Sequence, residues 1–204
     1  MSAAELLALL ALATAMSFSP GPNTTLSTAL AANHGLRRAL PFCLAVPTGW
    51  TMLMVVCGLG LGALVTGVPA LNWAIKVAGA AYMLWLAFKL SGSGQLTQVD
   101  AGRLDVTFVQ GVGLQFLNIK AWMLALTLTA GWVVNAAGAP AGNPGERLAI
   151  ISAIMVVFAF SSNFAYALLG SMLRQWLSQG SRLLWFNRAL ALVLAATAAW
   201  MLTV

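Results

Sequence analysis

The sequence predicts an all-α integral membrane protein. Its six transmembrane helices are expected to form two inverted three-helix repeats, with a broken helix 1 and, as an open alternative, a broken helix 4. Three observations predict this fold class. The 204 residues are 61% hydrophobic and 7% charged, whereas soluble domains carry about 25% charged residues. The apolar residues form six blocks separated by short polar stretches. A Pro-Gly-Pro sequence interrupts the first block near its middle.

Six apolar blocks are long enough to cross a membrane, which takes about 20 apolar residues. They cover approximately 4–32, 39–65, 70–90, 106–134, 148–170 and 184–203. The longest polar stretch between them, 91–105, divides the chain into repeat one (about 1–90), a cytoplasmic linker and repeat two (about 106–204). The whole chain, 1–204, is therefore predicted to be one transmembrane domain.

The basic residues are distributed unevenly over the connecting loops. Alternate loops must lie on one side of the membrane, and on one side they contain Arg37, Arg38, Lys89, Arg103, Arg174, Arg182 and Arg188. The opposite side has only Arg147, beside Glu146. The positive-inside rule places the first set in the cytoplasm and both chain termini outside. The net charge of +6 then fits contact with anionic lipid headgroups rather than with nucleic acid.

The sequence Pro20, Gly21 and Pro22 is expected to break the first span at mid-membrane. Proline removes an amide donor and clashes with the preceding helical turn. Lipid cannot satisfy the exposed backbone groups, so the break must face protein or a water-filled cavity. A new half-helix can start at Asn23 or Thr24 as its cap, and its N-terminus suits a carboxylate or another anion. All five residues are candidate substrate-binding residues, and a packing kink without a ligand is the alternative.

Lys120 lies near the middle of the fourth span, where a charge costs about 2.5–3.5 kcal/mol on insertion scales. Aligning Phe18 with Phe116 brings Pro22 opposite Lys120 and places Asn118 within a matching interruption. Inverted repeats with interrupted first helices are typical of transporters. We therefore predict that Lys120 and Asn118 bind substrate and that Lys120 is the coupling residue. The alternative is a lysine that snorkels or bonds freed carbonyls.

Further polar residues inside the spans could complete this cavity. We predict that Gln115 and, within the sequence FSSNFAY, Asn163 bind substrate; ordinary interhelical hydrogen bonding is the alternative. No Asp or Glu lies within a predicted span, so a carboxylate proton relay is excluded, and a coupled proton would be carried by Lys120 or by the titrating groups of the substrate. No nucleotide-binding motif appears either. We expect no catalytic residue, no cofactor and no metal site.

Glycines and tryptophans predict how the helices pack. Gly58 and Gly62 have the GxxxG spacing, which indicates close helix packing or a homodimer. Interfacial belts of the membrane are enriched in tryptophan. Such belts are the expected location of Trp50, Trp73, Trp85 and Trp176.

Several motifs together resemble one family of membrane proteins. They are SPGPN, HGLRRAL, VAGAAYMLWLAFKL, FVQGVGLQFLNIKAW and LRQWLSQGSRLLWFNRALALVLAATAAWML, in this order over nearly the whole chain. This set resembles the LysE/RhtB amino-acid exporters, and LQFLNIK is most similar to the cysteine/O-acetylserine exporter branch. Ile119 stands where most members have proline. The family's motif residues fall on Pro20, Gly21, Pro22, Asn23, Asn118 and Lys120.

The resemblance implies six spans, inverted repeats and export driven by the proton gradient in a bacterial inner membrane. We expect a secondary transporter, not an enzyme, that exports cysteine, O-acetylserine, or neutral amino acids similar to threonine or homoserine. Proton antiport with alternating access at a midplane site is the expected mechanism. Alternatives are an uncoupled amino-acid or small-solute permease or channel, and a membrane scaffold without transport activity. The expected partners are an amino-acid substrate and lipids, with a homodimer as an open alternative.

A thiol-redox carrier with a related inverted-repeat architecture is a further class to consider. Such a carrier needs one cysteine in each half, whereas Cys43 and Cys57 share the second span. In a helix these two residues would be about 21 Å apart, which is beyond disulfide reach. The cysteine positions therefore exclude this class and predict two buried free thiols.

Overall fold

The computed structural model describes residues 1–93, 105–134 and 142–203, except for the side chains of Ala63 and Thr66. Most of the predicted linker, including Arg103, lies outside the described residues. Within them the chain forms nine α-helices and one π-helical turn. These are α1 (Ala3–Phe18), α2 (Pro22–His34), α3 (Leu36–Gly58), α4 (Gly62–Gly67), α5 (Pro69–Ser91), α6 (Phe108–Leu117), α7 (Ile119–Leu128), the π-helical turn (Thr129–Val133), α8 (Pro144–Leu177) and α9 (Arg182–Met201).

The helices account for the predicted spans. By length and composition, α3, α5, α8 and α9 can each cross a membrane. The pair α1 and α2 meets at a bend of 49°, and the pair of α6 with α7 and its π-helical turn meets at 68°. If each bent pair forms one span, the total is six. The all-α multi-span fold and the break in the first span, between α1 and α2, are confirmed. The fourth span is broken as well, between α6 and α7.

Two helix boundaries differ from the predicted blocks. The predicted span 39–65 ends early, because Gly60 adopts a left-handed backbone with φ of +85° after α3 ends at Gly58. The predicted span 148–170 lies within the 34-residue α8. Hydropathy marks the apolar part of this helix, whereas its ends are set by Pro144 at the start and by Gly180, with φ of +58°, after the end.

The GxxxG spacing serves packing inside the chain. A methyl group added to Gly58 would lie 2.7 Å from a methyl carbon of Leu148 in α8, and one added to Gly62 would lie 2.7 Å from Leu126 in α7. The two glycines belong to different helices, so they form no continuous face for a second copy. The close-packing prediction is confirmed, while the homodimer stays a prediction without support from this motif.

Three of the four tryptophans named above lie on the surface, as interfacial belts require. Trp73, Trp85 and Trp176 are exposed, and the cations stacked on their rings are Lys76, Lys89 and Arg182, respectively. The prediction is wrong for Trp50, which is only 4% exposed. Both cysteines are free and buried, as expected.

The packing joins the two predicted halves throughout the bundle. The second spans of the halves, α3 and α8, pack against each other, as do the third spans, α5 and α9. In addition, α2 of the first half packs against α8 of the second. A pseudo-two-fold axis between inverted repeats would pair equivalent helices in this way. The division into repeats nevertheless stays a prediction.

Two polar clusters mark the opposite ends of the bundle. At one end, Asn33 of α2 and Asn187 of α9 exchange two amide hydrogen bonds of 2.9 Å, and Asn187 also donates to the carbonyl of Ser93 after α5 at 2.6 Å. At the other end, Arg147 pairs with Glu5 at 2.9 Å. The loops that the charge pattern grouped together therefore meet at the same end.

Candidate functional site

The breaks in the two bent helix pairs meet in the structure. Lys120, the second residue of α7, donates from Nζ to Ser19 Oγ at 2.6 Å. Its Nζ also lies 3.5 Å from the carbonyl oxygen of Ser19. A Cβ atom on Gly21 would lie 3.4 Å from the same nitrogen. One ammonium group therefore joins two interruptions that are about a hundred residues apart in the sequence.

Side chains of the second half also satisfy the backbone at the first break. The carbonyl of Phe18, at the end of α1, accepts a hydrogen bond of 3.0 Å from the hydroxyl of Tyr166 in α8. The amide of Ser19 returns to the carbonyl of Ala15 at 3.2 Å. Exposed backbone groups inside a membrane are tolerated where protein satisfies them, and these bonds provide that support.

The N-terminus of α2 is open. Its N-cap is Gly21, which offers no side-chain acceptor, and Pro22 has no amide hydrogen. The prediction that Asn23 or Thr24 caps this half-helix is wrong: they are the second and third residues of α2, because the fixed φ of Pro22 favours the first helical position. The Thr24 hydroxyl accepts from the amide of Gly21 at 3.0 Å. The amides of Asn23 and Thr24 therefore carry the positive helix end without an N-cap acceptor.

The N-terminus of α7 is closed by its own cap. Asn118 is the N-cap, and its Oδ1 accepts from the amide of Lys120 at 3.2 Å. Nearby, the indole of Trp122 donates to the carbonyl of Phe116 at 2.9 Å. The two half-helices thus differ: the side chain of Asn118 caps α7, whereas no side-chain hydrogen bond caps α2 among the described residues. An anion at this site would bind to α2.

Two side-chain amides of the second half, those of Gln115 and Asn163, bind α2. Asn23 and Gln115 of α6 exchange hydrogen bonds of 2.9 and 3.2 Å. Ser27 donates to Oδ1 of Asn163 in α8 at 2.8 Å. These contacts are interhelical bonds, so for Gln115 and Asn163 the structural alternative holds alongside any binding role.

A central cavity of about 60 Å³ lies between the breaks, α3 and α8. Seven of the nine predicted site residues line it: Gly21, Pro22, Asn23, Thr24, Asn118, Lys120 and Asn163. Pro20 lines a second cavity of about 460 Å³ beside α9, which shares Gly21, Pro22 and Lys120 with the first. Gln115 lines neither cavity and contacts the site only through its hydrogen bonds to Asn23. The segment from Pro20 to Pro22 therefore separates two cavities.

Lys120 is the one charged side chain that lines the central cavity in the described part of the chain. Most of the remaining wall is apolar, with Met16, Val46, Leu124 and Met155 among its residues. An ammonium group next to free helix amides, with no carboxylate in the lining, favours a bound anion.

Three lining or supporting residues were missed by the sequence analysis. Ser19 holds Lys120, Ser27 holds Asn163, and Trp50 lines the central cavity. Spacing alone could have found two of them. Ser27 follows Thr24 by one turn of α2, and Trp50 continues the buried stripe through Cys43 and Val46 on α3.

Comparison with known proteins gives concordant results. Relatives named "Cysteine/O-acetylserine efflux protein" include the following three. The one from Klebsiella pneumoniae is 29% identical over 84% of this chain and 85% of its own. The one from Salmonella typhimurium is 28% identical over 87% and 88%. The one from Escherichia coli K12 is 29% identical over 87% and 88%.

No solved structure is significantly similar to this chain. The model of the LysE type translocator family matches residues 14–203, which include both breaks, the central cavity and every helix except the first turns of α1. The family and the apolar helices agree on a membrane-embedded, multi-pass transporter rather than an enzyme. The chain belongs to the LysE type translocator family.

Proposed function

We propose that the protein exports small amino acids or their derivatives across the bacterial inner membrane, by proton antiport with alternating access at the central cavity. Cysteine, O-acetylserine and neutral amino acids similar to threonine or homoserine are the candidate substrates. The family and the names of its relatives support amino-acid export. The site itself supports the choice of an amino acid through the groups that would receive its carboxylate.

One observation carries the proposal: the ammonium of Lys120 lies beside the uncapped N-terminus of α2. A carboxylate placed between them would receive helix amide hydrogens and a charge-assisted bond from Nζ. The hydroxyl of Ser162, which donates to the carbonyl of Ala159 at 3.2 Å, retains lone pairs that could accept from the substrate's ammonium group. The cavity thus offers separate places for the two charged groups of an amino acid.

The size of the cavity favours a small substrate. About 60 Å³ has room for roughly four to six water molecules at about 10–15 Å³ each. This volume favours a compact substrate. Amino acids of the size of cysteine or threonine fit this limit better than lysine or tryptophan does.

The position of Lys120 indicates how transport could be coupled. Its side chain lines both cavities, and its bond to Ser19 would be exchanged for one to the carboxylate. Since Lys120 is the one titratable side chain lining the central cavity in the described residues, a proton carried at this site would be carried there. Breaking the Lys120–Ser19 contact would let the segment from Pro20 to Pro22 move between the cavities.

Radiolabelled efflux and counterflow test this function. Proteoliposomes containing the purified protein are preloaded with cysteine, O-acetylserine, threonine, homoserine, leucine or lysine, and uptake of the labelled substrate is measured. A carrier shows uptake accelerated by the preload. For proton antiport, a vesicle lumen more acidic than the medium should accelerate the uptake further. Uptake without acceleration by a preload would indicate the uncoupled permease, and no uptake of any amino acid would contradict the proposal.

For the orientation, we propose a cytoplasmic location of the basic loops and an external location of both termini. In a background with Cys43→Ser and Cys57→Ser, a cysteine replacing Arg37 should be protected from an impermeant maleimide applied to intact cells. A cysteine replacing Glu146 should react. This labelling pattern is expected because the positive-inside rule places the basic loop with Arg37 in the cytoplasm and the loop with Glu146 outside. The reverse labelling pattern would show that the proposed topology is inverted.

A further inference from the structure

The indole of Trp50 is a buried donor that the fold leaves unused. Trp50 lies on α3, is 4% exposed and lines the central cavity together with Lys120. Among the residues that the structure describes, its Nε1 has no hydrogen-bond partner. Buried polar groups are nearly always paired, and an unpaired donor is costly. A group that enters the cavity is therefore the expected partner.

Other indoles in the same bundle are satisfied by the protein. Trp122 donates to the carbonyl of Phe116 at 2.9 Å. Trp132 donates to the carbonyl of Glu5 at 3.1 Å. Both use backbone carbonyls near helix ends or breaks, whereas Trp50 sits in the middle of α3, where the helix uses its own carbonyls. The unpaired N–H of Trp50 is thus a feature of its place at the cavity.

We propose that Trp50 donates a hydrogen bond to the side-chain oxygen of those transported amino acids that have one, such as O-acetylserine, threonine or homoserine. This inference rests on the proposed function, because it assigns the substrate's carboxylate to Lys120 and α2. An indole N–H is a neutral donor with no acceptor capacity, so it suits a hydroxyl, ester or carbonyl oxygen. Trp50 would then select small amino acids with a side-chain oxygen over apolar amino acids of equal size.

The surroundings of Trp50 agree with this assignment. Val46, one turn earlier on α3, shares the cavity wall, as do Leu124 and Met155. A single donor in such a wall accepts the apolar part of a small side chain and orients one oxygen. Sites built around one hydrogen bond discriminate against analogues that lack it, since the buried group is then left unpaired.

Pairs of amino acids that differ only by a hydroxyl in place of a methyl group give the test. The ratio of KM values for norvaline over homoserine, and for valine over threonine, is measured by counterflow in proteoliposomes with purified protein. The variants are Trp50→Phe and Trp50→Met, with Trp185→Phe as the control at an exposed position. Thermal unfolding in detergent establishes that each variant is folded.

The wild type should prefer the hydroxyl-bearing member of at least one pair by roughly 3- to 10-fold. Both Trp50 variants should lose that preference, and Trp185→Phe should keep it. Equal KM values within both pairs for the wild type, or an unchanged preference in either folded Trp50 variant, would overturn the inference. If the wild type exchanges no amino acid at all, the proposed function fails instead.

Discussion

Replacing Lys120 by methionine is expected to lower the rate of amino-acid export at least tenfold while the protein level in the membrane stays normal. The ammonium bonds Ser19 at 2.6 Å and is proposed to receive the substrate's carboxylate. Hydrogen bonds to charged groups contribute about 1.5–3 kcal/mol, which corresponds to a factor of roughly 10 to 150 in binding. Initial rates of efflux from preloaded cells measure the effect.

Lys76→Met is the matched control, because it removes the same charge from another helix. Lys76 lies with Nζ 5.5 Å from the ring of the exposed Trp73, away from both cavities. Export by this variant should match the wild type. Equal losses in the two variants would show that the positive charge of the bundle matters rather than the site.

Lys120→Arg separates binding from coupling. The guanidinium keeps the positive charge and remains protonated at any pH that proteins tolerate. If Lys120 carries the proton, counterflow should persist in this variant, whereas acceleration by a pH gradient should disappear. Counterflow that the pH gradient still accelerates in this variant would show that a group other than Lys120 carries the proton.

Gly79→Ala is expected to have the second largest effect on export, because it acts directly on the break between α6 and α7. A Cβ atom at this position of α5 would collide with the carbonyl oxygen of Leu117 and would lie 3.1 Å from its carbonyl carbon. Backbone atoms at a helix break cannot move aside as a flexible side chain can. Overpacking of this kind costs about 1–3 kcal/mol, and moving Leu117 would also move Asn118 and Lys120.

We therefore expect Gly79→Ala to lower the unfolding temperature in detergent and the export rate together. Gly113→Ala, in α6, is the control, because a Cβ atom there meets no other atom within 4 Å. That variant should retain stability and export. A Gly79→Ala protein that melts and transports as the wild type does would show that the close contact between α5 and the break is unimportant.

Much of the fold could be predicted from local sequence. Hydropathy located the spans because a bilayer demands long apolar helices. Pro20 and Pro22 located the first break because proline cannot continue a helix without loss of a hydrogen bond. Lys120 could be predicted as a site residue because an ionisable group at mid-membrane needs a partner. Each of these signals rests on neighbouring residues, so no knowledge of packing was required.

The remaining features depend on contacts between distant residues. The second break forms without the family's proline, since Asn118 caps α7 with its own side chain and Trp122 satisfies the carbonyl of Phe116. The partnership of Ser19 and Lys120 arises only when the halves pack. The frequency of tryptophan at membrane interfaces predicts an interfacial Trp50. Its buried position at the central cavity instead follows from the packing of α3 against α6 and α8.

We propose that Lys120 and the open N-terminus of α2 together receive the carboxylate of the substrate. Counterflow with the wild-type protein compares each candidate substrate with an analogue that has lost the carboxylate: threonine with its carboxamide, threoninamide, and cysteine with cysteamine, which lacks the carboxyl group. We predict that the carboxylate-bearing compounds accelerate exchange at least tenfold more than their counterparts at equal concentration. Equal acceleration within both pairs would show that the site does not recognise a carboxylate.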